Sequence, residues 1–269
     1  MFVAIHQYHA VQKDGWRFHF STNPNLGQGW THDNIAFYAS DKPIPGSVPI
    51  HQYHAVQEDG WRFHLSTNSN LGQGWTYDKI AFYAFAQATP GSVAIHQYHA
   101  VQKDGWRFHF STNPNLGQGW TYDNIAFYAC QSKPTTIPIH QYHAVQKDGW
   151  RFFFTTNPKM EQGWTYDKIA FHAFAQETPG SVALHQYHAV QKDGWRFHLS
   201  KNPNLGLGWT HDKISFYAFA QEVPGSVAIH QYHAVQEDGW RFHFSTNPNL
   251  GQGWTYDNIA FYAFENPIN

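Results

Sequence analysis

Residues 3–39 read VAIHQYHAVQKDGWRFHFSTNPNLGQGWTHDNIAFYA, and this stretch decides the fold because the chain carries six close copies of it. The copies open at His6, His51, His96, His140, His185 and His230, with spacings of 45, 45, 44, 45 and 45 residues. Such a regular period is typical of a repeat array or of a pseudo-symmetric closed fold, in which no single unit buries its own apolar face. The function is therefore expected to be repeated as well.

The first half of each copy predicts a β-hairpin. Two strands are expected to meet at the Asp14-Gly15 pair, because Asp-Gly between two aromatic runs is a strong hairpin signal. In the second of these strands, Trp16–Thr22, large apolar residues alternate with polar ones, as they do in a half-buried strand. Arg17 and His19 are therefore expected to share a polar face.

The second half of each copy predicts a loop and two further strands. Asn23–Gly29 is rich in turn-forming residues and is unsuited to a helix or a strand. Trp30–Asp33 and Ile35–Ala39 are predicted to be short strands on either side of a turn. Each copy is thus expected to form four short strands and no helix.

The predicted fold class is all-β, with six four-stranded repeats. Two architectures hold such units: two β-trefoil-like domains of three repeats each, or a single six-bladed β-propeller. Four of the five linkers contain Pro-Gly-Ser-Val, whereas the third, Cys130–Pro138, lacks it and falls at the midpoint. This difference favours two domains, 1–132 with repeats 1–3 and 133–269 with repeats 4–6. The near-constant spacing favours the alternative, one six-repeat ring over 1–269.

Composition limits the partners and the location. Lys and Arg number 17 against 19 Asp and Glu, without a basic or acidic block, so nucleic acid is not an expected partner. No segment approaches the roughly 20 apolar residues of a membrane span, and Met1 leads straight into the first repeat, so we expect no membrane insertion. The expected location is cytoplasmic, or secreted without a recognisable signal peptide. The oligomeric state stays open.

Histidines suggest a metal site at first sight, because His-x-x-His occurs in all six copies, as His6 and His9 in the first. Residues three apart on a strand point to opposite faces, so these two are not expected to chelate one ion. A third recurring histidine, His19, is replaced by Phe153 in the fourth copy. We expect structural histidines, with no metal and no cofactor. A His-rich metal- or pH-responsive protein stays an alternative, because imidazole titrates near pH ~6.5.

Catalysis is not expected. The recurring acids, Asp14 and Asp33, lie at predicted turns, where side-chain bonds to the backbone are the ordinary role. A nucleophile would have to be Ser21 or Thr22 with His19, yet all three share one short strand. We therefore predict that the protein is not an enzyme.

The remaining polar and aromatic residues of each copy favour a sugar site. Sugar hydroxyls require paired hydrogen bonds, while the apolar face of the ring packs on an aromatic plate. The arginine and histidine of the second strand, the two loop asparagines, the following tryptophan and the aspartate supply that combination. The predicted carbohydrate-binding residues are Arg17, His19, Asn23, Asn25, Trp30, Asp33, Arg62, His64, Asn68, Asn70, Trp75, Asp78, Arg107, His109, Asn113, Asn115, Trp120, Asp123, Arg151, Asn157, Trp164, Asp167, Arg196, His198, Asn202, Asn204, Trp209, Asp212, Arg241, His243, Asn247, Asn249, Trp254 and Asp257.

Two copies depart from this pattern. Repeat 4 carries Phe153, Lys159, Met160 and Glu161, and repeat 5 carries Lys201 and Leu207, in place of the residues of the other copies. If the loop binds ligand, these two sites are expected to be weaker or altered. Repeats 1, 2, 3 and 6 are the better candidates.

The unit resembles a repeat of bacterial and fungal proteins that is classed as a domain of unknown function. The shared pattern is a Tyr-rich strand, a His-Phe-Tyr-Thr strand and Gly-Trp-x-Tyr-Glu-Gly-Ile-Ala-Phe-Tyr, which His19–Thr22 and Gly29–Tyr38 match in part. This chain has Ser21 where the family has Tyr, Asp33-Asn34 where it has Glu-Gly, and His-Gln-Tyr-His where it has Tyr-Arg-x-Tyr. Because that family often accompanies cell-surface or wall-associated modules, the resemblance implies glycan binding, without an assigned site.

The expected function is a multivalent carbohydrate-binding protein, a lectin or agglutinin, with one shallow site per repeat and glycans or glycoconjugates as partners. The plan is similar to that of small tandem-repeat lectins, an analogy of architecture alone. The alternative is a non-catalytic structural or protein-interaction scaffold.

Overall fold

The computed structural model describes residues 1–12, 15–57, 60–102, 105–146, 149–191, 194–236 and 239–268. The hairpin aspartate Asp14 and its equivalents lie outside the described residues. The chain divides into two compact units, Met1–Lys133 and Pro134–Asn269. The predicted boundary between 132 and 133, like the alternative of one six-repeat ring, stays a prediction.

The described residues are all-β, as predicted, with eighteen strands and no helix. In chain order these strands are β1 Phe2–Gln12, β2 Gly15–Ser21, β3 Thr31–Ser40, β4 Val48–Gln57, β5 Gly60–Ser66, β6 Thr76–Ala84, β7 Val93–Gln102, β8 Gly105–Ser111, β9 Thr121–Ala129, β10 Thr136–Gln146, β11 Gly149–Thr155, β12 Thr165–Phe174, β13 Ser181–Gln191, β14 Gly194–Ser200, β15 Thr210–Phe219, β16 Val227–Gln236, β17 Gly239–Ser245 and β18 Thr255–Ala263.

The expectation of four strands per repeat is wrong, because each repeat forms three. The predicted turn near Asp33 is instead a β-bulge within the continuous strand β3. Gln7 pairs with Asn34 and Tyr8 pairs with His32, so Asp33 has no partner across the ladder. A bulge bends a strand and re-aims a side chain without ending the pairing, which is why one strand replaces the predicted two.

The first strand of each repeat is central and pairs with the other two. Strand β1 pairs antiparallel with β2, from His6 opposite Ser21 to Gln12 opposite Gly15, which confirms the predicted pairing of the hairpin strands. It also pairs antiparallel with β3. The same two pairings recur in the other five repeats.

Short bridges link the third strands of the three repeats in a cycle within each unit. In Met1–Lys133 the bridges are Ser40 to Tyr83, Phe85 to Tyr128 and Tyr38 to Cys130. In Pro134–Asn269 they are Phe174 to Tyr217, Phe219 to Tyr262 and His172 to Phe264. The third repeat of each unit therefore closes back onto the first.

Each unit has one core to which all three repeats contribute. In the first unit, Phe37, Phe82 and Phe127 form a triangle of rings with centroids 5.7 Å apart and exposures of 0–2%. The second unit repeats this triangle with the equivalent phenylalanines, at 5.5–5.7 Å. Because every ring is covered by rings of the other two repeats, a single repeat cannot bury its apolar face alone.

Candidate functional site

The loop after the second strand is fixed by its own side chains. Tyr8 Oη donates to the Asn23 carbonyl at 2.9 Å, Asn23 Oδ1 accepts from the Asn25 amide, and Asn25 Oδ1 accepts from the Gly27 amide. Gly27 and Gly29 have φ angles of 83° and 95°, the left-handed region that favours glycine. The Asn-Pro-Asn-Leu-Gly-Gln-Gly sequence therefore builds a preformed, exposed loop.

Repeat 4 lacks part of this loop structure, in line with its altered sequence. Asn157 Oδ1 still accepts from the Lys159 amide, but Glu161 stands where the other repeats have the first left-handed glycine. Tyr142 Oη, which would bond the loop carbonyl, is buried without a hydrogen-bond partner. The loop of this repeat is thus less firmly held than its equivalents.

The arginine of the second strand does not lie on a solvent-facing polar surface, which corrects the expectation from alternation. Arg17 is 3% exposed, and its Nη1 donates to the Trp61 carbonyl of the next repeat at 3.2 Å. The equivalent arginines are all 3–4% exposed. The hairpins of neighbouring repeats lie against each other, so the side chain that alternation turns away from the core is covered by the next hairpin.

The histidine of the second strand is also enclosed between repeats. The His19 ring lies against Phe63 of the next repeat at 4.3 Å and against Trp30 at 5.5 Å. Burial lowers the pKa of His19 to about 4, with Lys79 also lowering it and Asp78 raising it. His64, His109, His198 and His243 have their pKa lowered by burial to about 4 in the same way. These imidazoles are therefore neutral at pH 7.

Phe153 makes the equivalent contacts in repeat 4. Its ring lies 4.6 Å from Phe197 of the next repeat and 5.6 Å from Trp164. An apolar ring is accepted here because the pocket is formed by aromatic rings. The second-strand position is consequently a packing position at the interface between repeats.

Trp30 forms one wall of that interface. It is half-buried and lies 6.0 Å from Phe63 of the next repeat. The same tryptophan-to-phenylalanine contact recurs around both units, from repeat 3 back to repeat 1 and from repeat 6 back to repeat 4. Each unit therefore has three equivalent interfaces, which we name 1/2, 2/3, 3/1, 4/5, 5/6 and 6/4 by the repeats that form them.

The bulged aspartate has two fixed partners in its own repeat. Asp33 Oδ2 accepts from Gln7 Nε2 at 2.9 Å, and Oδ1 is hydrogen-bonded to His9 Nδ1. The His9 ring stacks on Trp16 at 4.3 Å and 20°. The aspartate–histidine bond and the histidine–tryptophan stack recur in every repeat. Sequence reasoning missed Gln7, His9 and Trp16, although Gln7 and His9 share a strand face in the recurring His-Gln-Tyr-His.

The predicted site residues are therefore brought together between repeats and not within one. Asp33 of repeat 1 acts on His109 of repeat 3, raising its pKa against the larger effect of burial, and His109 lies 5.4 Å from Trp120. Asp78 of repeat 2 likewise raises the pKa of His19 of repeat 1 against the larger effect of burial. Each interface combines the loop and tryptophan of one repeat with the bulged aspartate of the next, and every interface but 4/5, which has Phe153, also includes the histidine.

A cleft of about 360 Å³ lies between the two repeats at interface 5/6. Its polar lining comes from both sides, with Ser200, Lys201 and Asn202 from the loop of repeat 5 and Gln231 and Asn258 from repeat 6. Leu184, Leu199 and Phe261 are among the apolar residues that line the rest. This volume is in the range of small-ligand sites, roughly 300–1,000 Å³.

The hairpins present a second recurring surface. Val11 and Trp16 lie opposite each other on β1 and β2 and are 67% and 50% exposed. The equivalent pairs in the other repeats have valines exposed by 65–66% and tryptophans by 50–52%. One of the two tryptophans of each repeat is thus solvent-facing, while the other closes an interface.

The two histidines of each His-x-x-His have different partners. His6 Nδ1 lies 3.0 Å from His32 Nε2, whereas His9 contacts Asp33 and Trp16. Burial lowers the pKa of His6, and His32 lowers it further. Among the described residues, no group of three or more His, Cys, Asp or Glu side chains is placed to hold a metal ion.

Within the part of the chain that the structure describes, no helix has the length and hydropathy of a membrane span.

Comparison with known proteins gives a family but no functional precedent. No curated protein and no solved structure is significantly similar to the chain. One family model, Domain of unknown function (DUF5648), matches residues 8–85, 67–162, 111–203 and 159–264. These overlapping matches span nearly all of the six repeats and confirm the resemblance seen in the sequence. The chain therefore belongs to this family, as a tandem repeat of its domain.

Proposed function

We propose that the chain is a non-catalytic, multivalent carbohydrate-binding protein whose sugar sites lie at the interfaces between adjacent repeats. The observation that carries the proposal is the cleft at interface 5/6, to which two repeats contribute polar side chains around an apolar floor. An open cleft of this kind suits a ligand that is itself part polar and part apolar. Glycans or glycoconjugates are the corresponding partners.

The lining has the chemistry that a sugar requires. Asn202, Gln231 and Asn258 carry amides that both donate and accept hydrogen bonds, and Lys201 donates. Ile259, which is 37% exposed, offers apolar surface to the C–H face of a ring. Hydroxyl groups lose their water on binding and must regain hydrogen bonds from the protein, which the paired amides allow.

The predicted site residues take two different parts in this proposal. Of the predicted residues, Asn202 lines the cleft at interface 5/6, and Asp257 directly precedes Asn258 of its lining. Trp209 packs against Phe242 of the next repeat at the same interface. The arginine and histidine of the second strand hold the two repeats together behind it, because they are enclosed between repeats. The site therefore depends on them without a direct contact to sugar.

We further propose that each unit is a β-trefoil-like domain. The support is the cycle of bridges within each unit, in which Tyr38 to Cys130 closes repeat 3 onto repeat 1 and His172 to Phe264 closes repeat 6 onto repeat 4. A six-bladed propeller, the alternative, instead closes repeat 6 onto repeat 1. Three closed repeats per unit give three interfaces and hence three equivalent positions for a sugar.

A second candidate function is a protein-interaction scaffold. It is favoured by the exposed Val11–Trp16 pair and its five equivalents, which place half-exposed tryptophans on every hairpin. Exposed aromatic residues of this kind are common in protein interfaces. The two functions use different surfaces, so an experiment can separate them.

The test is a glycan array with the intact chain near neutral pH and a chelator present. The expected result is binding to one sugar family without a metal requirement. Hydrogen exchange with the bound glycan should then protect the loop 200–206 and the strand around Asn258, while the strands around Trp240 stay unprotected. The absence of binding to any glycan on the array, or hydrogen-exchange protection confined to the hairpins, would refute the proposal.

A further inference from the structure

We infer that the three interfaces of Pro134–Asn269 select anionic glycans, bearing carboxylate or sulfate groups, whereas two of the three interfaces of Met1–Lys133 select neutral ones. This inference rests on the proposed carbohydrate-binding function and adds the ligand class. It is carried by a lysine that the second unit places at every interface, from two different positions of the repeat.

The cleft at interface 5/6 has one cation and no carboxylate in its lining. Lys201 comes from the loop of repeat 5, where repeats 1, 2, 3, 4 and 6 have threonine. The exposed side chain lies in the same lining as Asn258 and Gln231. The recurring acid of this interface is Asp257, whose two oxygens are bonded to Gln231 Nε2 and His233 Nδ1. The ammonium of Lys201 is therefore the principal charge offered to a ligand there.

At interface 6/4 the cation comes from the residue after the bulged aspartate. Lys168 occupies the position of Asn258, because Lys168 pairs with Gln141 as Asn258 pairs with Gln231. Its charge acts on His243 of repeat 6 and lowers the pKa of that histidine, after the larger effect of burial. Because Asn258 lines the cleft at interface 5/6, Lys168 takes the corresponding place at interface 6/4.

Interface 4/5 receives its cation from the same position in the next repeat. Lys213 pairs with Gln186 in the register that Asn258 shares with Gln231. Repeat 4 has Phe153 in place of the interface histidine, so Lys213 has no imidazole there whose pKa it could lower. Each interface of the second unit consequently carries a lysine at the position of Lys201 or at that of Lys168. At interface 4/5 the loop of repeat 4 adds Lys159 and Glu161, whose charges are opposite and leave Lys213 as the net positive charge.

The first unit differs at two of its three interfaces. Lys79 faces interface 1/2, where it lowers the pKa of His19 in addition to burial. Asn124 and Asn34 hold the equivalent positions at interfaces 2/3 and 3/1, and the facing loops carry threonine at the position of Lys201. These two sites offer amides and hydroxyls without a lysine, which suits uncharged hydroxyl groups.

The physical basis is a charge-assisted hydrogen bond. A hydrogen bond from an ammonium group to a carboxylate or sulfate is roughly twice as strong as the equivalent bond between neutral groups. The bond is weakened by salt at exposed sites, because the Debye length falls to about 8 Å at physiological ionic strength. Binding of acidic glycans to the second unit is therefore expected to be salt-sensitive, whereas binding of neutral glycans to the first is not.

The test compares the intact chain with the quadruple variant K79N/K168N/K201T/K213N, which also removes the lysine of interface 1/2, on an array of neutral, uronic-acid-containing, sialylated and sulfated glycans. Each substitution installs the residue that another repeat carries at the same position, so the fold is expected to be kept. The expected result is a loss of about tenfold or more in binding of acidic glycans with neutral binding unchanged. A control that removes two lysines of the linkers, K42Q/K133Q, should leave both classes unchanged.

A gain of function provides the second arm. The variant N34K/N124K should acquire salt-sensitive binding of acidic glycans at the first unit. Retention of acidic binding by the quadruple variant, or binding of neutral glycans alone by the intact chain, would overturn the inference and leave the proposed function standing. Absence of binding to every glycan would overturn the proposed function and this inference with it.

Discussion

Acid should destabilise the first unit through the histidines enclosed at its interfaces. His19, His64 and His109 have their pKa lowered by burial from 6.5 to about 4 in the folded chain. In the unfolded chain each returns to its ordinary value, so between pH 6.5 and pH 4 the unfolded state binds more protons than the folded state. Stability therefore falls as pH falls through this window, and these groups have no effect above it.

The size of the loss follows from the two pKa values. At pH 5 a histidine with a pKa of about 4 when folded and about 6.5 when unfolded costs about 2 kcal/mol. Three of them cost the first unit about 6 kcal/mol, and the two of the second unit, His198 and His243, cost about 4 kcal/mol. Since domains are stable by only about 5–15 kcal/mol, the first unit is expected to unfold at a less acidic pH.

The chain supplies a matched variant for this test, because Phe153 already fills the same position in repeat 4. Urea unfolding of the intact chain and of H19F/H64F/H109F would be followed at pH 7.5 and pH 5. Between pH 7.5 and pH 5 the free energy of unfolding of the variant should fall by about 6 kcal/mol less than that of the native sequence, about 2 kcal/mol for each histidine removed. The exposed substitution H32Y, which installs the tyrosine of other repeats, should leave most of the loss in place. Equal pH dependence in the native sequence and the triple phenylalanine variant would refute the reasoning.

Three further substitutions test how the repeats are held. Phe37→Ala removes a fully buried ring from the core triangle of the first unit and should lower the free energy of unfolding by about 3–5 kcal/mol, measured by urea denaturation; a loss below about 1 kcal/mol would show that the triangle is not the core. Tyr53→Phe removes the hydrogen bond to the Asn68 carbonyl and should cost about 1 kcal/mol in the same assay, whereas Tyr142→Phe should cost less because Tyr142 Oη has no such partner. Gly27→Ala strains a backbone with φ of 83° and should cost about 1 kcal/mol, with a lowered melting temperature as the readout and no change as the contrary result.

The sequence predicts the strands better than it predicts which surfaces they cover. The period of the repeat and the alternation in Trp16–Thr22 are local signals, and both the all-β fold and the hairpin pairing agree with them. The bulge at Asp33 resembles a turn because a short polar residue at the end of an aromatic run is typical of both. The pairing with β1 distinguishes a bulge from a turn, because it skips Asp33 and continues on both sides of that residue.

Burial of the polar residues could not be predicted from one repeat. Alternation places Arg17 and His19 opposite the core face, and a lone hairpin would leave both in water. In the structure the neighbouring repeat covers that side, through the Trp61 carbonyl and the Phe63 ring. The replacement of His19 by Phe153 in repeat 4 was the one sequence signal that this position is enclosed by aromatic rings.

Closure, and not repetition alone, determines how many complete interfaces the chain forms. Each interface takes its loop and tryptophan from one repeat and its bulged aspartate from the next, so an open row of three repeats would hold only two complete interfaces. The bridges Tyr38 to Cys130 and His172 to Phe264 join the third repeat to the first and so complete a third interface in each unit. On the proposed function, a single repeat has neither a core of its own nor a complete site. The smallest fragment able to bind a sugar is then a whole unit, and linking two units on one chain raises avidity by presenting several weak sites together.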